Sequence, residues 1–324
     1  MFKKKAIIFY GRMILSLAVI LYLATILDWG RIKKILPLLN FGLIGMAYFF
    51  VLLSILTSSI RWSTLLKHFK MTQGVLISLR FYLISMFFGL MLPGVIGGDV
   101  VRLGLGIGRH GIDMKDRMAA SVFLERTCGF VAILTIFMLM VLVAPSILIK
   151  DVFNTSAYIL PLVIIVSLTS IFAFLKAAPA KWLASNEMNG WVIGRISGLF
   201  RGLRDLSVPL VLWTVFLSAG ANLLDICASY FLAEALGIDI SFYLFLIIIP
   251  MIYVLTALPI SLGGLGVREG ILTFFLVRVG VVASDAVLLA FLIYLNRLAV
   301  ASIGGILQLK SDKPDILKSH QEIA

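Results

Sequence analysis

Charge is scarce in this chain, and so are the side chains that usually carry soluble chemistry. Only 14% of its 324 residues are Asp, Glu, Lys or Arg, with 3 histidines and 2 cysteines. Cys128 and Cys227 both fall in apolar runs. They read as small buried hydrophobes and supply no disulfide framework. His68, His110 and His320 are scattered near expected polar ends, so no metal-ligand cluster and no cofactor are expected. No GxxxxGK[ST] loop occurs, which argues against direct ATP drive. Nor is any polar segment long enough for a soluble catalytic domain.

What the chain does have is apolar length. It is 61% hydrophobic with a mean hydropathy of +1.09, which is outside the soluble range and fits a polytopic membrane protein. The runs are continuous rather than alternating, so helices are expected and not a barrel. The net charge of +12 does not point to nucleic acid, because the bases flank spans instead of forming a soluble patch.

Runs long enough to cross a bilayer cover about 6–27, 40–60, 121–147, 157–176, 207–236 and 286–309. The first follows MFKKK and has no small-x-small cleavage site before Asp28, so it reads as an uncleaved span. Two further runs, about 75–92 and 242–258, end in broken backbone and are followed by shorter segments, about 99–118 and 267–281. Each pair reads as a re-entrant hairpin. Residues 189–206 alternate Trp191, Ile196, Leu199, Phe200 and Leu203 with Arg195, Arg201 and Arg204, as in a helix lying on the inner membrane surface.

The two breaks are copies of each other. Leu92–Gly104 reads LPGVIGGDVVRLG and Leu258–Gly270 reads LPISLGGLGVREG. Pro93, Gly97, Gly98 and Arg102 recur at one constant offset as Pro259, Gly263, Gly264 and Arg268. A Pro/Gly-broken hydrophobic segment at matching places in two halves marks the binding region of a secondary transporter. The expected fold is therefore an all-α polytopic membrane protein with about six full spans plus two re-entrant helical hairpins in an inverted-topology repeat. It forms one membrane domain over 1–324, with halves of about 1–150 and 151–310 and a short cytoplasmic tail at 311–324.

Basic residues set the orientation. With the N-terminus inside, the inner side collects Lys3, Lys4, Lys5, Arg61, Lys67, Lys70, Arg102, Arg109, Lys115, Arg117, Lys176, Lys181, Arg195, Arg201, Arg204, Lys310, Lys313 and Lys318. Outside stand only Arg31, Lys33, Lys34, Lys150 and Arg278. This is a positive-inside pattern. It places the chain in the cell (inner, cytoplasmic) membrane with both termini cytoplasmic.

A charge within the hydrocarbon is costly, so each intramembrane charge is a functional candidate. Asp99 with Arg102, and Arg268 with Glu269, stand at the hairpin tips. Glu125-Arg126 and Asn296-Arg297 repeat a Leu-x-Arg pattern in the third span of each half, and Asp225 lies within the span 207–236. The expected site is a polar cavity between the hairpins. There Arg102, Arg126, Arg268 and Arg297 would hold a phosphate or other anionic headgroup, because a guanidinium binds phosphate oxygens bidentately. Backbone N–H groups at Gly97-Gly98 and Gly263-Gly264 would add anion affinity, with Pro93, Pro259 and Gly266 completing the hairpin tips. Asp99, Glu125 and Glu269 would orient the arginines, contact an amine or carry a proton, with Asp225 a further coupling candidate. The same residues could instead form internal salt bridges that fix the hairpins. Arg12 and Arg80 could snorkel to the inner interface.

These motifs resemble the lysylphosphatidylglycerol synthase transmembrane family, also called flippase-like domain proteins. The likeness runs through Pro93-x-x-x-Gly97-Gly98-Asp99-x-x-Arg102, then Glu125-Arg126, then Pro259-x-x-x-Gly263-Gly264-x-Gly266-x-Arg268-Glu269. It covers nearly the whole chain. It implies a lipid translocase fold and, as partners, anionic or aminoacylated phospholipids or polyprenyl-linked lipids. Ending at Ala324, the sequence leaves no room for an aminoacyl-transfer domain, so translocation without synthesis is expected. A secondary transporter of a small soluble anion and a membrane-embedded enzyme acting on lipid-linked phosphate or sugar are the alternatives. Oligomeric state is not readable from the lipid-facing residues.

Overall fold

The computed structural model describes residues 36–91, 97–143, 206–257 and 266–309, with 21–22, 25–26, 28, 30 and 33. Every element in them is helical: α1 (Phe41–His68), α2 (Val75–Met91), α3 (Gly97–His110), α4 (Lys115–Val143), α5 (Val208–Ala235), α6 (Phe242–Ala257), α7 (Val267–Arg278) and α8 (Ala283–Leu309). The span expected at 6–27 lies almost wholly outside the described residues. So do the span at 157–176, most of the surface helix at 189–206, and the tail.

Among the described residues four stretches are long and apolar enough to cross a membrane: Phe41–His68, Ile112–Met140, Val208–Ala235 and Ala283–Leu309. The sequence starts and stops them by ordinary means. The Asn40 side chain caps α1 by accepting from the Leu43 N–H at 3.2 Å. Pro209 sits in the first turn of α5, where no N–H partner is needed. Three boundaries differ from the sequence reading. α1 runs on to His68 instead of stopping near residue 60. α3 ends at His110, and α4 begins at Lys115, because Gly111 takes a φ of 91° and turns the chain between them.

The second four helices repeat the first four in order and length. α1 and α5 have 28 residues each, α2 and α6 have 17 and 16, α3 and α7 have 14 and 12, and α4 and α8 have 29 and 27. Packing follows the same exchange. α1 lies along α5, while α2 packs on α8 and α6 packs on α4.

α1 and α5 run antiparallel. The Asn40 N–H donates to the Ala235 carbonyl at 3.4 Å, Ser54 Oγ donates to the Ala221 carbonyl at 3.0 Å, and Arg61 Nη1 donates to Ser218 Oγ at 2.7 Å. Ser54 and Ala221 hold the same position in their helices, at the middle of each. The two equivalent helices therefore cross at their midpoints.

Small residues permit the other close contacts, as membrane packing requires. On α8, Gly304 lies against the backbone of Leu83 and Ile84 on α2, leaving no space for a side chain. α2 and α3 form a hairpin. Near its tip a methyl on Gly98 would come within 2.6 Å of the Ser85 carbonyl. At its open end the ring Nε2 of His110 lies 3.2 Å from Gln73 Oε1. Burial, with Arg109 adding to it, holds the His110 imidazole below its ordinary value. The ring is then neutral at pH 7, with a single N–H to donate. One apolar core, including Ile55, Leu83, Ile133, Leu232, Phe245, Leu276 and Leu289, joins both halves.

Candidate functional site

The intramembrane charges form two groups on opposite sides of the midpoint crossing. The first is a linear chain of ions on α1, α3 and α4, running Arg126–Asp99–Arg102–Glu125–Arg61. Arg126 grips Asp99 with two bonds, Nε to Oδ2 at 2.8 Å and Nη2 to Oδ1 at 2.9 Å. Arg102 Nη2 reaches Asp99 Oδ1 at 3.3 Å, and its Nη1 lies 2.8 Å from Glu125 Oε2. Arg61 donates to Glu125 Oε1 through Nη2 at 2.5 Å and Nε at 3.2 Å. Asp99, Arg102 and Glu125 are buried. The outer flank is open, with the Arg126 side chain 55% exposed.

Aromatic walls complete this group. The Arg102 guanidinium lies 4.8 Å from the Trp62 ring centre and 4.4 Å from that of Tyr82. Such contacts favour a cation stripped of water. Trp62 is itself fixed by an Nε1–H bond to Ser121 Oγ at 3.2 Å. The local sequence explains the convergence. Asp99 and Arg102 are one turn apart on α3, and Glu125 and Arg126 are adjacent on α4, so one carboxylate and one guanidinium from each helix meet.

The second group surrounds a small cavity between α5, α6, α7 and α8. It is lined by Ser229, Ile249, Ile252, Tyr253, Arg268, Leu272, Ala290, Ile293 and Arg297. Arg297 Nη2 donates to Tyr253 OH at 2.6 Å and to Asp225 Oδ2 at 3.2 Å. The Tyr253 hydroxyl in turn donates to Asp225 Oδ2 at 2.9 Å. Arg268 makes no hydrogen bond or ion pair with any described residue. Its neighbour Glu269 is turned away, accepting from the Gly266 N–H at 2.7 Å through Oε2. That closes the N-terminus of α7 as a capping glutamate does. Gly266 stands there with a φ of 81°, which favours glycine.

The structure thus gathers Asp99, Arg102, Glu125 and Arg126 in one group, and Asp225, Arg268 and Arg297 in another. The four arginines do not meet in one cavity between the hairpins. On α5, Ser218 of the first group and Asp225 of the second are seven residues apart, about 10 Å along the axis. Glu269 serves its own helix terminus. Pro93, Pro259, Gly263 and Gly264 lie outside the described residues, as does Arg12. Gly97 and Gly98 open α3, where Gly98 serves close packing. Arg80 is partnered.

Sequence reasoning missed Arg61, assigning it to an inner loop. Its signal was the stretch LTSSIRWSTLL, in which Ser and Thr interrupt hydropathy but not helix. Ser59 and Thr64 return their hydroxyls to the carbonyls of Ile55 and Ile60, at 2.7 and 2.9 Å, so α1 continues. Tyr253, Trp62 and Tyr82 were also missed, since aromatics in an apolar run carry no mark of their own. Among the described residues no three His, Cys, Asp or Glu side chains come together as a metal-holding group.

The model of the lysylphosphatidylglycerol synthase transmembrane region matches residues 11–305. The chain belongs to that family. It is also similar to the UPF0104 membrane protein PH1989 of Pyrococcus horikoshii, 24% identical over 320 residues, covering 89% of this chain and 93% of that protein. This family member is accordingly a multi-pass membrane protein, with only helical elements among its described residues.

Proposed function

We propose that the protein is a lipid translocase that carries a phospholipid or polyprenyl-linked headgroup between leaflets while the lipid chains stay in the bilayer. The observation that carries this reading is Arg268. It is a guanidinium without a partner among the described residues, facing a cavity shared with Arg297, between two helices of membrane-spanning length, α5 and α8, and the shorter α6 and α7. An uncompensated arginine at such a place is costly, and an anionic headgroup offsets that cost bidentately. Family membership supports a membrane lipid as the partner.

In this reading the halves form an inverted-topology repeat of about six spans and two re-entrant hairpins. The antiparallel crossing of α1 and α5 supports it. The chain lies in the cell membrane with its termini cytoplasmic, moves lipid without covalent chemistry, and works downhill or on an ion gradient. Asp225, which shares Arg297 with Tyr253, is the coupling candidate: protonation would free Arg297 for the headgroup.

The test is leaflet exchange in proteoliposomes, with fluorescent or aminoacylated phospholipids and a short polyprenyl phosphate. Wild type should speed loss of asymmetry for at least one lipid, and Arg268→Ala should abolish it while leaving folded protein in the membrane. If no lipid is accelerated, the reading fails. Uptake of a soluble anion by the same vesicles would then favour an anion transporter.

A further inference from the structure

We infer that the exposed flank of the first group, at Arg126, is a binding site for the phosphate of an anionic membrane lipid that reaches it from the bilayer, with its chains along Val100 and Phe123. The site stands on the first group alone; its use as a mid-depth station in transport rests on the translocase reading.

The first group is out of balance by itself. Three arginines, Arg61, Arg102 and Arg126, share two carboxylates, Asp99 and Glu125. Position decides where the surplus positive charge is presented. Arg102 is enclosed by Trp62 and Tyr82 and pairs with both carboxylates. Arg61 is nearly enclosed and spends Nε and Nη2 on Glu125 and Nη1 on Ser218. Arg126 is 55% exposed and spends Nε and Nη2 on Asp99, which leaves Nη1 without a partner among the described residues. Asp99 thus grips one edge of the Arg126 guanidinium. The edge formed by Nη1 and Nη2 remains, and it suits two oxygens of a phosphate.

Depth limits what that edge can meet. Arg126 is the middle residue of the spanning stretch Ile112–Met140, so each end of the stretch lies about 21 Å away along the axis. That is too far for the side chain to snorkel to an interface, and bare hydrocarbon against a half-exposed guanidinium is costly. The exposed neighbours are apolar. Phe123 stands one turn earlier on α4, and Val100 follows Asp99 on α3; both are more than half exposed. A free phosphate ion would leave water for this flank and gain only the arginine. A lipid brings its phosphate together with chains that cover Phe123 and Val100, and this makes the bilayer the source.

The test uses the full chain in a maltoside detergent, which carries no phosphate. Phosphatidylglycerol, a diacylglycerol with the same chains, and inorganic phosphate are titrated separately, and bound molecules are counted by native mass spectrometry. Binding is compared in an Arg268→Gln background, so that the second group does not contribute; leaflet exchange in vesicles is followed without that change. Phosphatidylglycerol should bind about tenfold better than diacylglycerol, and Arg126→Gln should remove the advantage. Arg126→Lys, which keeps the charge but not the fork, should retain part of it. Phe123→Glu leaves Arg126 on Asp99 and sets a carboxylate one turn away; with an unchanged thermal midpoint, it should remove the advantage too. An undiminished advantage in Arg126→Gln or in folded Phe123→Glu overturns the site. Binding of inorganic phosphate that depends on Arg126, with no advantage for phosphatidylglycerol, overturns the lipid as its source. If the advantage depends on Arg126 but no lipid changes leaflets in the wild type, the site stands and the translocase reading fails. If leaflet exchange is equal in wild type and Arg126→Gln, the site stands and its use as a station is overturned.

Discussion

The two halves put the same backbone to different uses, and a few side chains make the difference. Arg102 and Arg268 are equivalent in the repeated motif. Arg102 is buried between Trp62 and Tyr82 and paired twice, whereas Arg268 faces a cavity and pairs with no described residue. Counted from the first residues of α1 and α5, the place of Trp62 belongs to Ser229. Counted likewise in α2 and α6, the place of Tyr82 belongs to Ile249. Both replacements line the cavity. In the repeated Leu-x-Arg pattern, Asn296 stands where Glu125 does. One half fills the space around its arginine and neutralises it. The other vacates the space and leaves the charge. The asymmetry lies in the residues themselves, so a change of conformation alone would not make the two halves equivalent. The first group is built as a fastening; in the function proposed above, the second is the receptor.

The comparison can be broken most severely at Glu125. Glu125→Ala would leave Arg61 and Arg102 buried without their carboxylate, and stability should fall by about 3–5 kcal/mol. Thermal unfolding in detergent reads this, and an unchanged midpoint would mean that the ion chain contributes nothing to the fold. Ser229→Trp makes the second half resemble the first. It should fill the cavity, abolish transport, and cost about 1–3 kcal/mol through overpacking. Retained transport in a folded Ser229→Trp protein would place the transport route elsewhere. The smallest effect on stability belongs to Arg268→Gln, at less than about 1 kcal/mol, because no pairing within the described residues is lost. A large loss there would show that Arg268 is a structural tie after all, and would undo the contrast with Arg102.

Much of this contrast lay on the surface of the sequence. The duplicated Pro and Gly-Gly motif, the long apolar runs and the misplaced charges were legible because each departs from what hydrocarbon tolerates. Four runs, at 40–60, 121–147, 207–236 and 286–309, match helices of spanning length. Pairing was not legible. Nothing along the chain says that Arg126 turns to Asp99, or that Glu269 bonds the backbone beside it instead of facing a ligand. Those choices depend on rotation about helix axes and on how deep each residue sits. The cavity was hidden for a further reason. A missing Trp at Ser229 becomes visible only when α5 is laid on α1, and the resemblance between those two helices is one of length and position, not of residues.

The way the ion pairs are distributed along the chain has a consequence for synthesis. Within the two groups every ion pair closes inside one half: Arg61 waits 64 residues for Glu125 and Asp225 waits 72 for Arg297. At about 5–20 residues per second, each wait is roughly 3–14 seconds. Across the halves, the first group reaches a neutral hydroxyl, that of Ser218. Each half can therefore settle into the bilayer on its own ribosomal schedule. Arg268, which makes no ion pair with a described residue, needs neither half to wait for the other.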